Sequence, residues 1–310
     1  MTEIDNATFM FSEVISGSRL GPLRRQLIER GFIYVTEHPI SASLHENYLD
    51  ATMNFFKNGS AQEKQALKPA RKELRRGFSD LEAESTALVM NSGKYSDYSM
   101  CYSMGASNNL FPSKRFEAAW VDYFNASNAF AINIARAILQ HSGGLAPSVG
   151  DELDRCDPLL RFRYFPDVPE ERVAEKEPMR MASHYDLSIL TLIQQTPCAN
   201  GFTSLQAHIG GEMVDLPAKR EAILVLCGAV ATLASNGALP APRHHVASPP
   251  ADKRIGSART SSVFFLRPNP AFSFSVGEAR GYGLDVSLKQ ERATFADWIG
   301  FNYVTMHTGI

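Results

Sequence analysis

Two side chains with metal-binding groups stand two positions apart in the stretch SHYDLSILTLI, which begins at Ser183. His184 and Asp186 precede a run of strand-forming residues, and alternate residues of a strand point to the same face of a sheet. An imidazole and a carboxylate could therefore converge on one point. The question for the rest of the chain is which residue completes the set.

A second imidazole is available in the stretch LPAPRHHVASP, from either His244 or His245. Strand alternation lets only one of them point toward the other two groups, and the spacing does not decide which. Two imidazoles and one carboxylate leave three coordination positions open, as in the facial triad of non-haem Fe(II) oxygenases. A closed zinc site would need four ligands, usually with cysteine, and no cysteine is near. The alternative is a core histidine and a solvated carboxylate.

A candidate anion-binding pair follows in the stretch GSARTSSVFFL. Arg259 and Ser261 are two positions apart in a predicted strand, so they share a face. A guanidinium binds a carboxylate through two parallel hydrogen bonds, and a serine hydroxyl adds one more. The pair predicts a site for an anionic co-substrate near the metal. The alternative is an exposed arginine on a strand.

The elements that must position these residues change character along the chain. The first half is mostly helical, with a capping box at Ser60 and Glu63 and a long amphipathic helix that ends near residue 140. The second half has short β-rich runs separated by Pro, Gly and Asn, which is typical of an antiparallel sandwich or barrel. The runs are LLRFRYF (159–165), ILTLIQQ (189–195), GFTSLQA (201–207), AILVLCG (222–228), SSVFFLR (261–267) and FSFSV (272–276).

Composition and charge exclude several classes of protein. The chain has 310 residues, 44% of them hydrophobic, with a net charge of -2 and a pI of about 6.5, which argues against nucleic-acid binding through bulk charge. No stretch has the roughly 18 apolar residues that a membrane span needs, and no secretory signal is recognisable. Four scattered cysteines suit reduced thiols, so we expect a cytoplasmic protein. No GxSxG, P-loop or GxGxxG motif supports a serine hydrolase or a nucleotide-binding protein.

Longer stretches resemble one known family. The HxD pair, the distal histidine and the RxS pair have the order and spacing of the 2-oxoglutarate/Fe(II) oxygenases related to isopenicillin N synthase. The stretches MASHYDLSILTLIQQTPCANGFTSLQA, SARTSSVFFLRP, TFADWIGFNYV, RRGFSDLEAESTA and GKYSDYSMCYSMG resemble the cephalosporin branch of that family. The resemblance covers nearly the whole chain.

The resemblance implies a mainly β fold with flanking helices, built on a double-stranded β-helix, or jelly roll. It implies a single catalytic domain over residues 1–310, in which 1–150 form a mostly helical flank and 151–310 form the jelly-roll core with the metal site. By position, the catalytic residues and iron ligands would be His184, Asp186 and His244. Arg259 and Ser261 would bind the distal carboxylate of 2-oxoglutarate.

The resemblance also implies the chemistry. The protein would be a 2-oxoglutarate-dependent dioxygenase of cephalosporin and cephamycin biosynthesis, with Fe(II), the co-substrate 2-oxoglutarate, O₂, and ascorbate as reductant. Its partner would be a small β-lactam substrate, without nucleic acid or membrane. The sequence does not indicate the oligomeric state.

Arginines are the main candidates for substrate contacts, because the β-lactam substrates of this branch carry two carboxylates. Arg161 and Arg163 share a strand face in RFRYF, where two like charges usually need an anion nearby. Each of these arginines could instead be a surface charge, and the apolar candidates could be simple core residues. The further candidates are Arg75, Arg76, Met181, Thr191, Phe265, Arg267 and Asn302.

Sequence signals divide between the two reactions of the branch. Gln194, Gln195 and the stretch MCYSM resemble the expandases, which convert penicillin N to deacetoxycephalosporin C. The stretches GALPAPRHHV, ARGYGL and NYVTMH resemble the hydroxylases. These enzymes hydroxylate the 3-methyl group of deacetoxycephalosporin C and so give deacetylcephalosporin C. At Thr305 and His307 the expandases have Asn and Arg, so we adopt hydroxylation. Expansion or both reactions, an oxidase that needs no 2-oxoglutarate, and a non-catalytic cupin-like binding protein are the alternatives.

Overall fold

The computed structural model describes residues 3–68, 76–142, 150 and 152–307. Helices in this part of the chain are α1 (Glu3–Asn6), α2 (Phe11–Ser16), α3 (Leu20–Arg30), α4 (Ala42–Asn58), α5 (Ala61–Ala66), α6 (Thr86–Val89), α7 (Lys114–Ser142), α8 (Ala229–Ala234), α9 (Val276–Gly281) and α10 (Phe295–His307). Its strands are β1 (Thr8–Met10), β2 (Phe32–Thr36), β3 (Gly77–Ser79), β4 (Met100–Gly105), β5 (Leu159–Phe165), β6 (Met179–His184), β7 (Leu190–Gln195), β8 (Leu205–Ile209), β9 (Glu212–Asp215), β10 (Ala222–Cys227), β11 (Arg243–Ala247), β12 (Arg259–Leu266), β13 (Ser273–Ser275) and β14 (Arg292–Thr294). Within these ranges, no helix is both long and apolar enough to cross a bilayer.

Local sequence signals fix several helix ends, and one of them is the predicted capping box. Helix α3 ends at Gly31, whose backbone has a φ of 69° and donates to the Leu27 carbonyl, a conformation that glycine adopts without strain. The capping box at Ser60 and Glu63 is formed at the start of α5. These contacts confirm the sequence analysis of the helical part.

Two sheets form the jelly roll, and their strands pair antiparallel except for the parallel pair β1 and β2. The large sheet has the strand order β1-β2-β10-β7-β12-β5-β4-β3, and the small sheet has the order β6-β11-β8-β9. Apolar residues of both sheets pack into one buried cluster, with Phe165, Ile193 and Leu224 from the large sheet and Met181 and Val246 from the small one. The two sheets therefore face each other, and the predicted mainly β fold with flanking helices is confirmed.

Helices α4 and α7 cover the other face of the large sheet. Trp120 of α7 is completely buried, and its Nε1 donates to the Thr52 hydroxyl of α4 at 2.9 Å. Tyr48 of α4 packs edge-on against Phe162 of β5. This aromatic core fixes the large sheet, which in turn carries β7 and β12 of the site.

Two details of the sequence analysis need correction. The first half is less purely helical than predicted, because β1, β3 and β4 also belong to the large sheet. The predicted run 201–207 overlaps β8, which begins only at Leu205. An Asn200 side chain that accepts from the Phe202 N–H, and Gly201 with a φ of 75°, form a turn at this point and delay the strand.

Candidate metal centre and substrate cavity

Strand pairing brings the two predicted histidine ligands together. His184 is the last residue of β6 and lies opposite His244 of the antiparallel neighbour β11. Their ring centroids are 4.4 Å apart. Asp186 follows β6, and its Oδ1 lies 3.8 Å from the Nε2 atom of each histidine. Three donor atoms within 4.8 Å of one another thus form one side of a coordination shell.

Backbone carbonyls orient both imidazoles toward the centre. His184 donates from Nδ1 to the Ala182 carbonyl at 2.9 Å, and His244 donates from Nδ1 to the Pro242 carbonyl at 3.1 Å. A proton on Nδ1 leaves the Nε2 lone pair available for a metal. Burial holds the pKa of His184 well below its usual range, and neighbouring His244 lowers it further. The ring is therefore in the neutral form that binds metal.

The donor set fits Fe(II). Asp186 is buried, and its Oδ2 has no hydrogen-bond partner among the residues that the structure describes. Such an oxygen is costly to bury unless a cation or donor satisfies it. Two neutral imidazoles and one carboxylate with an open side match the 2-His-1-carboxylate set that holds Fe(II) in oxygenases.

The structure also decides between the two adjacent histidines. His244 belongs to the metal centre, while His245 points to the other face of β11 and lies 5.9 Å, between ring centroids, from His208. Alternation along β11 produces this separation, as the sequence required.

Backbone contacts with the start of α8 fix the loop that carries Asp186. Ala229 N donates to the Asp186 carbonyl at 2.8 Å, and Val230 N donates to the Ser188 carbonyl at 3.0 Å. A Cβ atom on Gly228 would collide with that Ser188 carbonyl oxygen. Glycine is therefore required for the close approach of the two backbones.

We expect Gly228→Ala to destabilise the protein and weaken its iron site. The added methyl group must push the Ser188 loop away, at a cost of about 1–3 kcal/mol in the free energy of unfolding. Chemical denaturation and Fe(II) titration measure the two effects. Gly21→Ala is the control, because a Cβ there meets no atom within 4 Å. Equal stability of the two variants would contradict the prediction.

Arg259 is a buried cation that pairs with no carboxylate of the described residues. Its Nη2 donates to the Gln195 side-chain oxygen, and Nη1 has no partner within the described part of the chain. Gln195 is itself oriented, because its amide nitrogen donates to the Leu216 carbonyl at 2.8 Å. Burial lowers the pKa of Arg259, and Arg180 lowers it further. With the buried Ser261 hydroxyl two positions on, this arrangement suits an anionic ligand.

A cavity of about 110 Å³ adjoins the metal centre and includes His184 and Asp186 in its wall. Apolar residues of α6 and α10, among them Val89, Ile299 and Met306, form part of that wall. The predicted substrate residues that line the cavity are Arg161, Arg163, Met181, Phe265, Arg267 and Asn302.

Two predicted substrate residues are not found there, and a third was not described. Thr191 is completely buried, and its hydroxyl shares a hydrogen bond with Ser188 at 2.8 Å. Arg76 is not among the lining residues, and its Nε donates to the Ser107 carbonyl at 2.9 Å. Arg75 falls outside the described residues.

The anion expected beside Arg161 and Arg163 is a carboxylate of the chain itself. Glu84 accepts from Arg161 Nη2 at 2.7 Å and from Arg163 Nη2 at 2.9 Å. Asp97 lies 3.7 Å from Arg163. Glu84 was not predicted, because it stands in a loop without any periodic signal. A need for an anion was predictable from the two arginines, but its source was not.

Family comparisons agree with this geometry. Residues 156–268 match the 2OG-Fe(II) oxygenase superfamily, and residues 20–123 match the family described as non-haem dioxygenase in morphine synthesis N-terminal. The first match includes the three metal-centre residues together with Arg259 and Ser261.

Two relatives match almost the full length of the chain. It is 55% identical to deacetoxycephalosporin C hydroxylase of Streptomyces clavuligerus, over 96% of this chain and 95% of the relative. It is 53% identical to deacetoxycephalosporin C synthase of Amycolatopsis lactamdurans, over 99% of this chain and 98% of the relative. Among solved structures, a full-length Neurospora crassa protein in complex with alpha-KG and thymine has a similar fold, with a TM-score of 0.73, 20% identity and 96% of each chain covered.

Proposed function

The chain belongs to the 2OG-Fe(II) oxygenase superfamily, and from that premise we propose that it hydroxylates the 3-methyl group of deacetoxycephalosporin C to give deacetylcephalosporin C. It is a 2-oxoglutarate-dependent dioxygenase that uses Fe(II). The observation that carries the proposal is the cavity, in which the metal centre shares a wall with arginines. A small carboxylated substrate fits this combination of charge and position.

Two groups of residues have separate roles, one in metal binding and one in co-substrate binding. When bound, Fe(II) with 2-oxoglutarate and O₂ supplies the oxidising power that breaks a methyl C–H bond. His184, Asp186 and His244 hold the metal on one side and leave the cavity side open. Arg259 and Ser261 bind the distal carboxylate of 2-oxoglutarate, which supplies the anion that the buried guanidinium lacks.

The cavity walls orient the β-lactam. Arg161, Arg163 and Arg267 provide the positive side, and Met181 and Phe265 provide an apolar surface near the metal. Asn302 lies in the same wall, on α10. These contacts hold the methyl group toward the metal and keep water away from it.

The positions of residues that resemble either the expandases or the hydroxylases favour hydroxylation. Gln194 accepts from the Tyr123 hydroxyl at 2.9 Å, and Gln195 accepts from Arg259, so neither lines the cavity. Thr305 and His307 belong to α10, which forms part of the cavity wall. Thr305 and His307 therefore stand on an element of the cavity wall, whereas the two glutamines that resemble the expandases do not line the cavity.

Turnover of two substrates tests the proposal. Deacetoxycephalosporin C and penicillin N are incubated separately with Fe(II), 2-oxoglutarate, ascorbate and air, and products are identified by mass. Gain of one oxygen by the cephem supports hydroxylation. If penicillin N is the only substrate that reacts and it loses two hydrogens, the function is ring expansion and not hydroxylation. Turnover without 2-oxoglutarate would indicate an oxidase, and binding without turnover would indicate a cupin-like protein.

We further propose that the chain acts as a single catalytic domain in the cytoplasm. Strands from both halves of the chain share the large sheet, which supports one folding unit. All four cysteines are unpaired, which suits a reducing compartment.

A further inference from the structure

Three arginines in the cavity wall differ in how much of their hydrogen-bonding capacity the protein already uses. Arg267 uses all three of its nitrogens, because Nε and Nη2 donate to Asp157 and Nη1 donates to the Tyr303 hydroxyl. Arg163 donates from Nη1 to Ser99 and from Nη2 to Glu84. These contacts hold both side chains in the wall.

Arg161 is held through two of its three nitrogens, Nε and Nη2. Its Nη2 donates to both Glu84 oxygens, at 2.7 and 2.9 Å, and also contacts the Cys101 sulfur at 2.8 Å. Nε donates to the Ser103 hydroxyl at 3.1 Å. Nη1 has no hydrogen-bond partner in the described ranges, and Arg161 lines the cavity. The side chain is thus held through Nε and Nη2, and the two N–H groups of Nη1 remain for a ligand.

Glu84 is itself held in place. Its carboxylate accepts from the Ser79 hydroxyl at 3.2 Å, and its backbone carbonyl accepts from Asp97 N at 2.8 Å. Ser85 N donates to the Met306 carbonyl of α10 at 3.1 Å, which ties the same loop to the cavity wall. The carboxylate is 4% exposed, so water does not compete for the arginines.

We infer that Glu84 is a positioning residue for substrate binding: it fixes Arg161 so that Nη1 receives a carboxylate of the β-lactam. This inference rests on the proposed function and adds a residue that does not touch the substrate. Glu84 orients the guanidinium, and it offsets part of the charge of two buried arginines while no substrate is bound. The cavity therefore recognises the carboxylate by direction as well as by charge.

Steady-state kinetics of Glu84→Gln test the inference. The amide has nearly the same size, but it loses the charge and one of the two acceptor oxygens. We expect the KM for deacetoxycephalosporin C to rise about tenfold, with kcat within about twofold and the KM for 2-oxoglutarate unchanged. Glu82→Gln is the matched control, because Glu82 stands in the same loop and pairs with Arg172, away from the cavity. Its KM values should equal those of the wild type.

Esterified substrates make the test specific. Each carboxylate of the cephem is converted to its methyl ester in turn, and the KM ratio of Glu84→Gln to wild type should fall to about one for one of the two esters. A ratio that stays high with both esters, or an equal change in the KM for 2-oxoglutarate, would overturn the inference. If Glu84→Gln does not fold, Ser103→Ala is measured instead, because the Ser103 hydroxyl also holds Arg161. The expected result is a rise of about threefold in the KM for deacetoxycephalosporin C. Unchanged KM values with an active wild type reject only this inference, whereas an inactive wild type rejects the proposed function.

Discussion

Replacing His184 with Ala is expected to abolish Fe(II) binding and to reduce turnover by a factor of about 1000 or more. Loss of a residue that only supports a metal ligand typically costs about 10- to 100-fold, and His184 supplies a ligand atom itself. The two remaining donors cannot hold the metal on one side of an open site. Anaerobic titration with Fe(II) and 2-oxoglutarate measures binding directly, through the weak visible charge-transfer band of the complex.

His245→Ala is the matched control for that variant. His245 stands next to a ligand in the same strand but points away from the metal centre. The control should keep the charge-transfer band at full intensity. A band that persists in His184→Ala, or one that appears without iron, would show that the metal centre described here is wrong.

Arg259→Ala should raise the KM for 2-oxoglutarate by a factor of about 100 or more while Fe(II) binding is retained. Two hydrogen bonds from a charged donor contribute about 1.5–3 kcal/mol each, and every 1.4 kcal/mol corresponds to a factor of about ten. The metal ligands lie on β6, on the loop after it and on β11, and the two histidines keep their own hydrogen bonds. Turnover at increasing 2-oxoglutarate, together with Fe(II) titration without co-substrate, separates the two quantities.

Gln195→Leu gives a graded comparison for this prediction. It removes the acceptor that orients Arg259 without removing the charge, so the KM for 2-oxoglutarate should rise about tenfold. Arg220→Ala, on the exposed surface, should leave the KM unchanged. An unaltered dependence on 2-oxoglutarate in Arg259→Ala would exclude this arginine from co-substrate binding.

The sequence predicts the fold where a signal is local. The run LLRFRYF coincides with β5, and the capping box at Ser60 starts α5, because alternation and capping depend on neighbours in the chain. Strands β1 and β3 were missed because each has three residues and exists only through pairing with distant or later segments. The start of β8 was misplaced because an Asn200 side chain organises the preceding turn.

The same difference between local and distant contacts decides which residues of the site could be predicted. Spacing alone predicted that His184 and Asp186 converge, and the resemblance chose His244 over His245, as the structure confirms. The partner of Arg161 could not be predicted, because Glu84 reaches it from a loop far away in sequence. Gln195 was read as a marker of the reaction type, whereas its contact with Arg259 belongs to the co-substrate side.

Pairing of β2 with β10 has a consequence for how the protein is made. Thr36 lies opposite Ala222, and Phe32 lies opposite Leu226, so β2 gains this neighbour only late in synthesis. While the ribosome is still translating, the apolar side chains of β2 have no completed sheet to enter, and such edges promote aggregation. Contacts between residues so distant in sequence also slow folding. Production at low temperature, with slower translation and available chaperones, should therefore raise the soluble yield.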